Sequence, residues 1–413
     1  MTLEPVPVTL ARGTPAFRRA NWALFLAAFS MFGSLYSVQP LLPIFVTEYG
    51  VRADESSLAL SLTSAVLGIF MVFAGALSDA AGRKRLMVTS LWLTAALNFA
   101  VMAAPTWTAL LVARTLLGLV LCGVPSVAMA YIAEEMDPKS LSFAMGLYIG
   151  GTAIGGMVGR ILLGVMADIA SWRLGMGLFG VLVLASAVYM QRLLPDSRHF
   201  VAKPFVAGGF LPGLRQLFRD PGLRWLYAEA FLLMGSFVTV FNYISFRLSA
   251  APYSLSHALI SFLFFSYVIG SGSSAWAGGL ADRIGRRKVL WWMVLTMVAG
   301  LVLISLQPLT AIAAGAVVLA FGFFGSHTIT SSWVGRRALG ARAQASSLYL
   351  LFYYLGASVI GTAGGWFWIR QAWPGVALLV GSSLLLALAV AVRLFYLPPL
   401  PIPETHTAPA PTP

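Results

Sequence analysis

Long apolar runs alternate with short polar segments along almost the whole chain. Each run is close to the 20 or so apolar residues that a helix needs to cross a bilayer. The runs are too long and too uniformly apolar for the strands of a membrane barrel. We therefore predict an all-α membrane protein with twelve transmembrane helices, at Trp22–Thr47, Ser57–Ser78, Leu86–Met102, Thr108–Ala130, Leu141–Val165, Leu174–Leu194, Leu223–Ser245, Leu255–Ala277, Val289–Leu306, Ala311–Val334, Ala345–Trp368 and Val376–Leu394.

The composition supports this interpretation. Hydrophobic residues make up 59% of the 413 residues, charged residues only 10%, and the mean hydropathy is +0.85. A soluble domain cannot bury so much apolar side chain. The single cysteine, Cys122, excludes an intrachain disulfide framework and a cysteine-rich metal site, and four histidines leave little for zinc chemistry. We expect no metal and no cofactor.

The positions of the positive charges predict the orientation. A net charge of +13 would suggest a nucleic-acid partner in a soluble protein. Here, 21 Lys and Arg residues lie at one set of helix ends, called the basic side below, and four lie at the other, the opposite side; Arg114 and Arg160 fall inside predicted spans. Because Lys and Arg are retained in cytoplasmic loops, both termini are expected in the cytoplasm of a cell (inner) membrane, with no nucleic-acid partner.

The remaining segments divide the chain. The N-terminal segment has no small-residue cleavage site after a short apolar core, so we interpret it as a tail and not a signal peptide. The proline-rich loop between spans six and seven contains a mixed apolar and basic stretch, Phe210–Phe218, typical of an interfacial helix. The predicted organisation is a cytoplasmic tail (1–20), a six-helix bundle (21–194), a linker (195–222), a second six-helix bundle (223–396) and a disordered tail (397–413).

The two bundles are related by an internal repeat. The segment Gly75–Arg85 recurs as Gly278–Lys288, 203 residues later, in the short loop after an even-numbered span. Two such halves predict a pseudo-symmetric transporter that works by alternating access, with the substrate near the membrane midplane. Further matched positions are Gly33 and Ser34 with Gly235 and Ser236, and Gly151, Gly156 and Gly159 with Gly356, Gly361 and Gly364.

These motifs resemble those of a known family. The pattern G-x-x-x-D-[RK]-x-G-[RK]-[RK] between the second and third helices is the signature of the major facilitator superfamily, and here it occurs twice. The segments 131–135 and 146–156 are similar to the bacterial arabinose-efflux-permease-like branch, which includes drug:proton antiporters. The resemblance covers 22–394 and implies the twelve-helix major facilitator fold, a monomer without a cofactor, and secondary transport instead of enzyme activity.

The repeated motif carries candidate gating chemistry. Its glycines allow close helix approach and a sharp turn, and its aspartates lie beside several cations, so an ion pair across the cytoplasmic seam can lock one state. The resemblance likewise implies a conformational latch. The alternative is that the basic clusters only enforce topology. The candidate gating residues are Gly75, Asp79, Gly82, Arg83, Lys84, Gly278, Asp282, Arg283, Gly285, Arg286 and Arg287; the first copy carries Ala80 where a basic residue is usual.

Two further elements depart from the proton-coupled drug antiporters. The fifth span has the glycines of the family's helix-five element, at Gly151, Gly155 and Gly156, without its proline. The fourth span places Arg114 as the family's helix-four motif does, with Leu117 where glutamine is common. Glu134 and Glu135 follow this span, where they can pair with Arg83 or Lys84 as a relay or as a solvated helix end.

Charged residues inside spans are candidates for function because burying them in a bilayer is costly. Glu229 in the seventh span is interpreted as a proton-coupling or substrate-contacting residue, or as an interfacial carboxylate paired with Arg224. Arg114 and Arg160 could hold an anionic or carbonyl-bearing substrate; the alternative is that each caps helix carbonyls or pairs with a rim acid such as Asp168.

Uncharged polar residues complete the candidate set. His327 could titrate near neutral pH and contribute to coupling, or simply form a hydrogen bond between helices. Tyr36, Gln39, Asn242 and Tyr243 lie at similar depths of the first and seventh spans, which line the cavity in the superfamily that the chain resembles.

Other classes of membrane protein are weaker candidates. The sequence has no cluster of residues typical of a polytopic enzyme and no phosphate-binding loop for an ATP-driven pump. A channel or a membrane scaffold stays an alternative class. We expect a secondary active transporter that exports a small drug-like or sugar-like molecule in exchange for protons. The alternative is a facilitator or proton symporter for a sugar or small organic anion.

Overall fold

The computed structural model describes residues 9–198, 200, 215, 217–338 and 341–397. Within these ranges the backbone is almost entirely helical, and an isolated parallel bridge joins Leu10 to Met136. Most of the predicted interfacial helix, 210–214 and 216, lies outside the described residues, as do 1–8 and 398–413 of the predicted tails. Predictions for those segments therefore stay predictions.

The first half of the chain forms six helices long and apolar enough to cross a membrane. Several of them begin before the predicted apolar runs, and polar residues cap two of these N-termini, Thr14 in the first helix and Thr106 in the fourth. The six are α1 (Pro15–Tyr49), α2 (Ala53–Ala81), α3 (Arg83–Met102), α4 (Trp107–Glu135), α5 (Leu141–Ile169) and α6 (Trp172–Leu193).

The second half repeats this arrangement. Its last two spans form one hydrogen-bonded helix, Arg342–Phe395, which is broken at Ala372, where φ is 47° and ψ is −138°, two residues before Pro374. The described residues thus contain the twelve predicted spans. The second six are α7 (Pro221–Ser249), α8 (His257–Ile284), α9 (Arg286–Ser305), α10 (Leu309–Arg337), α11 (342–371) and α12 (373–395).

Two helices of the first half are broken within the membrane. In α1, a 3-10 turn at Gln39–Leu41 separates the helix Pro15–Tyr36 from the helix Leu42–Tyr49, because Pro40 lacks the N–H that a continuous helix needs. In α4, the break lies between Leu121 and Pro125. Sequence periodicity treats both helices as continuous, so these breaks are a difference from the prediction.

The repeated motif makes the same turn in both halves. Gly82 between α2 and α3 has φ 93° and ψ 140°, and Gly285 between α8 and α9 has φ 95° and ψ 138°. Residues other than glycine rarely adopt this backbone conformation. Gly82 and Gly285 are therefore required by the backbone of the turn, whereas Gly75 and Gly278 of the same motif lie within helices.

The two halves contact each other closely on the opposite side of the membrane. A Cβ added at Gly365 of α11 would meet the backbone of Asp54 in α2, and one added at Gly164 of α5 would meet Ser261 in α8. Nearer the centre, a Cβ at Gly68 of α2 would lie 2.9 Å from the Tyr354 Cβ of α11. Small residues thus allow α2 to pack on α11, and α5 on α8, across the interface.

Packing is different on the basic side. The buried side chains there in the first half form a separate apolar cluster, made only of first-half residues such as Phe17, Tyr131 and Met190. A Cβ added at Gly75 or at Gly279 would meet no atom within 4 Å. The halves therefore contact mainly on the opposite side.

Candidate substrate and coupling site

A buried polar network joins the halves where α1 is broken. The Arg160 Nε of α5 donates to the Gln39 Oε1 at 2.7 Å, and the Gln39 Nε2 donates to the Asn242 Oδ1 of α7 at 2.8 Å. Gln39 and Asn242 are 203 residues apart, the spacing of the repeated motif. Repeat-equivalent residues thus meet directly, as expected for side chains close to a pseudo-twofold axis.

Arg160 is almost fully buried among aromatic rings. Its guanidinium carbon lies 4.3 Å from the ring centre of Tyr36, 4.8 Å from that of Phe264 and 4.6 Å from that of Tyr267. Its Nη1 donates to the Gly156 carbonyl at 2.7 Å. Cation–π contacts of desolvated guanidinium groups are worth about 2 kcal/mol or more. The cage, from both halves, fixes the guanidinium at the interface.

Of the two structural roles predicted for Arg160, capping of a helix carbonyl is present at Gly156, and pairing with Asp168 is wrong. The carboxylate of Asp168 instead accepts hydrogen bonds from the backbone N–H groups of His257 and Ala258, at 3.2 and 2.7 Å. Asp168 therefore caps the N-terminus of α8 across the interface, which satisfies helix donors and favours negative charge there. Eight residues separate Arg160 from Asp168 on α5, and this rise of about 12 Å keeps them apart.

Several buried polar groups beside this network have no protein partner within the described part of the chain. They include the Asn242 Nδ2, the Tyr267 hydroxyl and the Ser61 hydroxyl. A Cβ added at Gly361 would lie 3.5 Å from the Asn242 Nδ2 and 3.7 Å from the Ser61 Oγ. Buried donors without partners are costly. Water or a bound polar solute would satisfy them.

Glu229 is the second notable buried charge. Its side chain in α7 is fully buried, and neither carboxyl oxygen has a hydrogen-bond partner within the described residues. The alternative pairing with Arg224 is wrong, because Arg224 lies exposed on another face of the helix. An ionised carboxylate in such a place costs several kcal/mol, so the geometry favours the neutral form.

A hydrogen-bonded group of α10 and α11 lies beside Glu229. The Tyr349 hydroxyl lies 2.9 Å from the His327 Nδ1 and 2.8 Å from the Thr330 hydroxyl, and it is near enough to Glu229 to interact with that group if it were ionised. His327 therefore does form a hydrogen bond between helices. Neither Tyr349 nor Thr330 is among the candidates from the sequence, although the tyrosines at 349, 353 and 354 are an unusual cluster within a span.

The buried guanidinium of Arg114 bonds to three backbone carbonyls. Its Nε, Nη1 and Nη2 donate to the carbonyls of Ala59, Ser34 and Leu35, at 2.8, 2.7 and 2.6 Å. Two of these carbonyls end the first segment of α1, just before its break, so the guanidinium caps that segment and ties it to α2. Of the two alternatives from the sequence, this geometry supports capping.

Replacing Arg114 by methionine is expected to destabilise the protein strongly. Three buried carbonyls would each lose a hydrogen bond from a charged donor, worth about 1.5–3 kcal/mol, although Ser37 and Thr63 still donate to the carbonyls of Ser34 and Ala59. The measurement is the unfolding temperature of the purified protein in detergent, with the exposed Arg85→Met as a control of equal charge. An Arg114→Met variant as stable as this control would contradict the capping role.

The gating motif forms ion pairs within each half. Arg83 lies 2.6 Å from Asp79 and 2.7 Å from Glu134, as the predicted pairing of Glu134 with Arg83 requires. In the second copy, Arg286 lies 2.8 Å from Asp282. The expected ion pair across the seam is not one of these contacts. A latch role for the motif stays a prediction.

The remaining candidates lie apart from the network. The Tyr243 hydroxyl donates to the Gly361 carbonyl at 3.0 Å, which ties α7 to α11 within the second half. Lys84 pairs with Asp196 at 2.8 Å, and Glu135 is buried near Tyr131. The structure thus brings together Tyr36, Gln39, Arg160 and Asn242, whereas Glu229 and His327 are linked only through Tyr349, which bonds to His327 and lies near Glu229. Within the described ranges, no group of three or more His, Cys, Asp or Glu residues could hold a metal ion.

Comparisons with known proteins agree with this architecture. The family model of the Major Facilitator Superfamily matches residues 24–276 and 248–412. Inner membrane transport protein YnfM of Escherichia coli (strain K12) is 43% identical over 385 residues, 93% of this chain and 92% of that protein. Multidrug resistance protein MdtG of Proteus mirabilis (strain HI4320) is 32% identical over 166 residues, 38% of this chain and 41% of that protein.

A solved structure supports the fold. The crystal structure of the nucleoside transporter NupG matches with a TM-score of 0.76 and 14% identity, over 91% of this chain and 100% of that chain. The predicted fold class of twelve helices in two related bundles is therefore confirmed. The chain belongs to the major facilitator superfamily of multi-pass membrane transporters.

Proposed function

We propose that the protein is a proton-coupled secondary transporter that exports a small organic molecule by alternating access. The observation that carries the proposal is the carboxyl group of Glu229 in α7. It is fully buried and has no hydrogen-bond partner among the described residues. A group that is neutral when buried and ionised when exposed binds a proton in one conformation and releases it in another. The free energy of the proton gradient then drives the conformational cycle.

The interface between the two bundles supports alternating access. The bundles 21–194 and 223–396 are the moving bodies, and they contact mainly on the opposite side. The positive-inside rule makes the basic side cytoplasmic, so this arrangement would admit a solute from the cytoplasm. The motifs at Asp79 and Asp282 would close that side in the other state, in a protein acting as a monomer. Similarity to a protein named for multidrug resistance supports export.

Transport by purified protein in liposomes with an imposed pH gradient tests this proposal. A panel of sugars, organic anions and aromatic drugs would be offered, with internal pH followed by a trapped dye. We expect that a transported solute is concentrated only while the gradient persists, and that protons move in the opposite direction. Concentrative transport that continues after a protonophore has dissipated the gradient would contradict proton coupling.

A second candidate function is proton symport of a small organic anion. Arg160 favours it, because the guanidinium is buried at the interface with uncharged partners, and unpartnered donors such as the Asn242 Nδ2 lie nearby. An anionic solute would supply the missing acceptors. The same liposome assay separates the candidates, because symport moves protons with the solute and export by exchange moves them against it.

A further inference from the structure

A strongly basic cavity lies in the second half, on the basic side and away from the interface. Its volume is about 430 Å³. It is formed where α9 begins and where α10 and α12 end. The lining residues are Ile284, Gly285, Arg286, Arg287, Lys288, Trp333, Arg336, Arg337 and Phe395. Five of these nine side chains are cationic and none is acidic, so the cavity favours an anion.

Neighbouring carboxylates neutralise only part of this charge. Asp282 lies 2.8 Å from Arg286 and 3.9 Å from Arg336, and Asp220 lies 2.6 Å from Arg337. Arg287 donates to the Phe395 carbonyl, and no carboxylate pairs with Lys288 among the described residues. Two acids thus face five bases. The start of α9 adds backbone N–H groups that lack helical acceptors.

The first half provides an internal comparison. Glu134, which pairs with Arg83, has Arg337 as its counterpart 203 residues later. Lys84 also has an acidic partner, Asp196. The same turn is therefore nearly balanced in the first half and strongly positive in the second. Orientation in the membrane does not require this difference, because both turns already carry the basic cluster of the motif.

The walls of the cavity indicate the kind of anion. Ile284, Trp333 and Phe395 are apolar, and Ile284 is 46% exposed at the end of a membrane helix. This places the cations level with lipid headgroups and the apolar residues beside the acyl chains. We propose that this cavity binds the phosphodiester headgroup of an anionic phospholipid from the leaflet on the basic side. Arg and Lys contact its phosphate, and the apolar wall contacts its glycerol and upper chain.

Native mass spectrometry of the purified full-length protein tests the site. The probes are phosphatidylglycerol and phosphatidylcholine with identical acyl chains, since only the first has a net negative charge. We expect the parent protein to retain phosphatidylglycerol preferentially. The variant Lys288→Gln/Arg336→Gln should lower this preference by about tenfold or more, since each interfacial cation contributes about 1 kcal/mol. Equal retention of the two lipids by the parent protein would overturn the proposal.

The matched control is Lys84→Gln/Arg85→Gln, which removes the same charge from the corresponding turn of the first half. We expect it to keep the preference of the parent protein. An equal loss in both variants would mean general attraction of anionic lipids and would overturn a specific site. A further measurement adds inorganic phosphate at millimolar concentration to the protein with bound phosphatidylglycerol. If the phosphate displaces phosphatidylglycerol, the occupant is a soluble phosphate, and the lipid assignment is wrong.

Discussion

Replacing Glu229 by glutamine is expected to reduce gradient-driven transport to the level of liposomes without protein. Glutamine has nearly the shape of the protonated carboxyl group but cannot release a proton, so the variant stays in the protonated-like state. Exchange of labelled solute across the membrane without a gradient should continue, because exchange needs no net proton transfer. The measurement compares both modes of transport in the same preparation.

The control for this variant is Asp137→Asn, which removes a carboxylate of the basic side that forms no ion pair within the described residues. It should leave gradient-driven transport unchanged. Thermal unfolding separates a coupling defect from a folding defect: Glu229→Gln should unfold close to the parent temperature, since the buried group is neutral in both. Gradient-driven transport at the parent rate would rule out Glu229 as the coupling residue.

The spans and the duplication could be predicted from the sequence, because they depend on local composition. A bilayer requires about 20 apolar residues for each helix, and such runs can be recognised in the sequence without knowledge of the tertiary structure. The turns at Gly82 and Gly285 are equally local, since their backbone conformation selects glycine. The breaks in α1 and α4 were not predicted, because a proline inside an apolar run can be accommodated by neighbouring helices.

The partners of the buried charges could not be predicted, because they depend on which helices meet. Glu229 and Arg224 are five residues apart, which places them about 140° apart around a helix. The sequence spacing disfavoured this pair but gave no sign that Tyr349 approaches from α11. Likewise, Gln39 reaches Arg160 only because α1 is broken beside α5. Distances along the chain cannot show such contacts.

The proposed alternating access predicts a second large effect, at Gly164 in α5. A Cβ at this position would meet Ser261, and also the His257 backbone, across the interface with α8. Gly164→Val should therefore destabilise the conformation in which the opposite side is closed. Overpacking costs about 1–3 kcal/mol, which shifts a two-state equilibrium by roughly 5- to 150-fold. Transport should fall accordingly, because one state of the cycle becomes rare.

Spin labels at Arg52→Cys and Arg370→Cys, in a Cys122→Ser background, would report this shift. Both positions are exposed at the opposite side, one in each half, so their separation measures whether that side is open. We expect longer distances in Gly164→Val than in the parent protein. Gly381→Val in α12 is the matched control, because a Cβ there meets only Leu301 of the same half, at 3.7 Å. If both variants gave the parent distances, the contact between α5 and α8 would not be part of the moving interface, and the two halves would have to rearrange elsewhere.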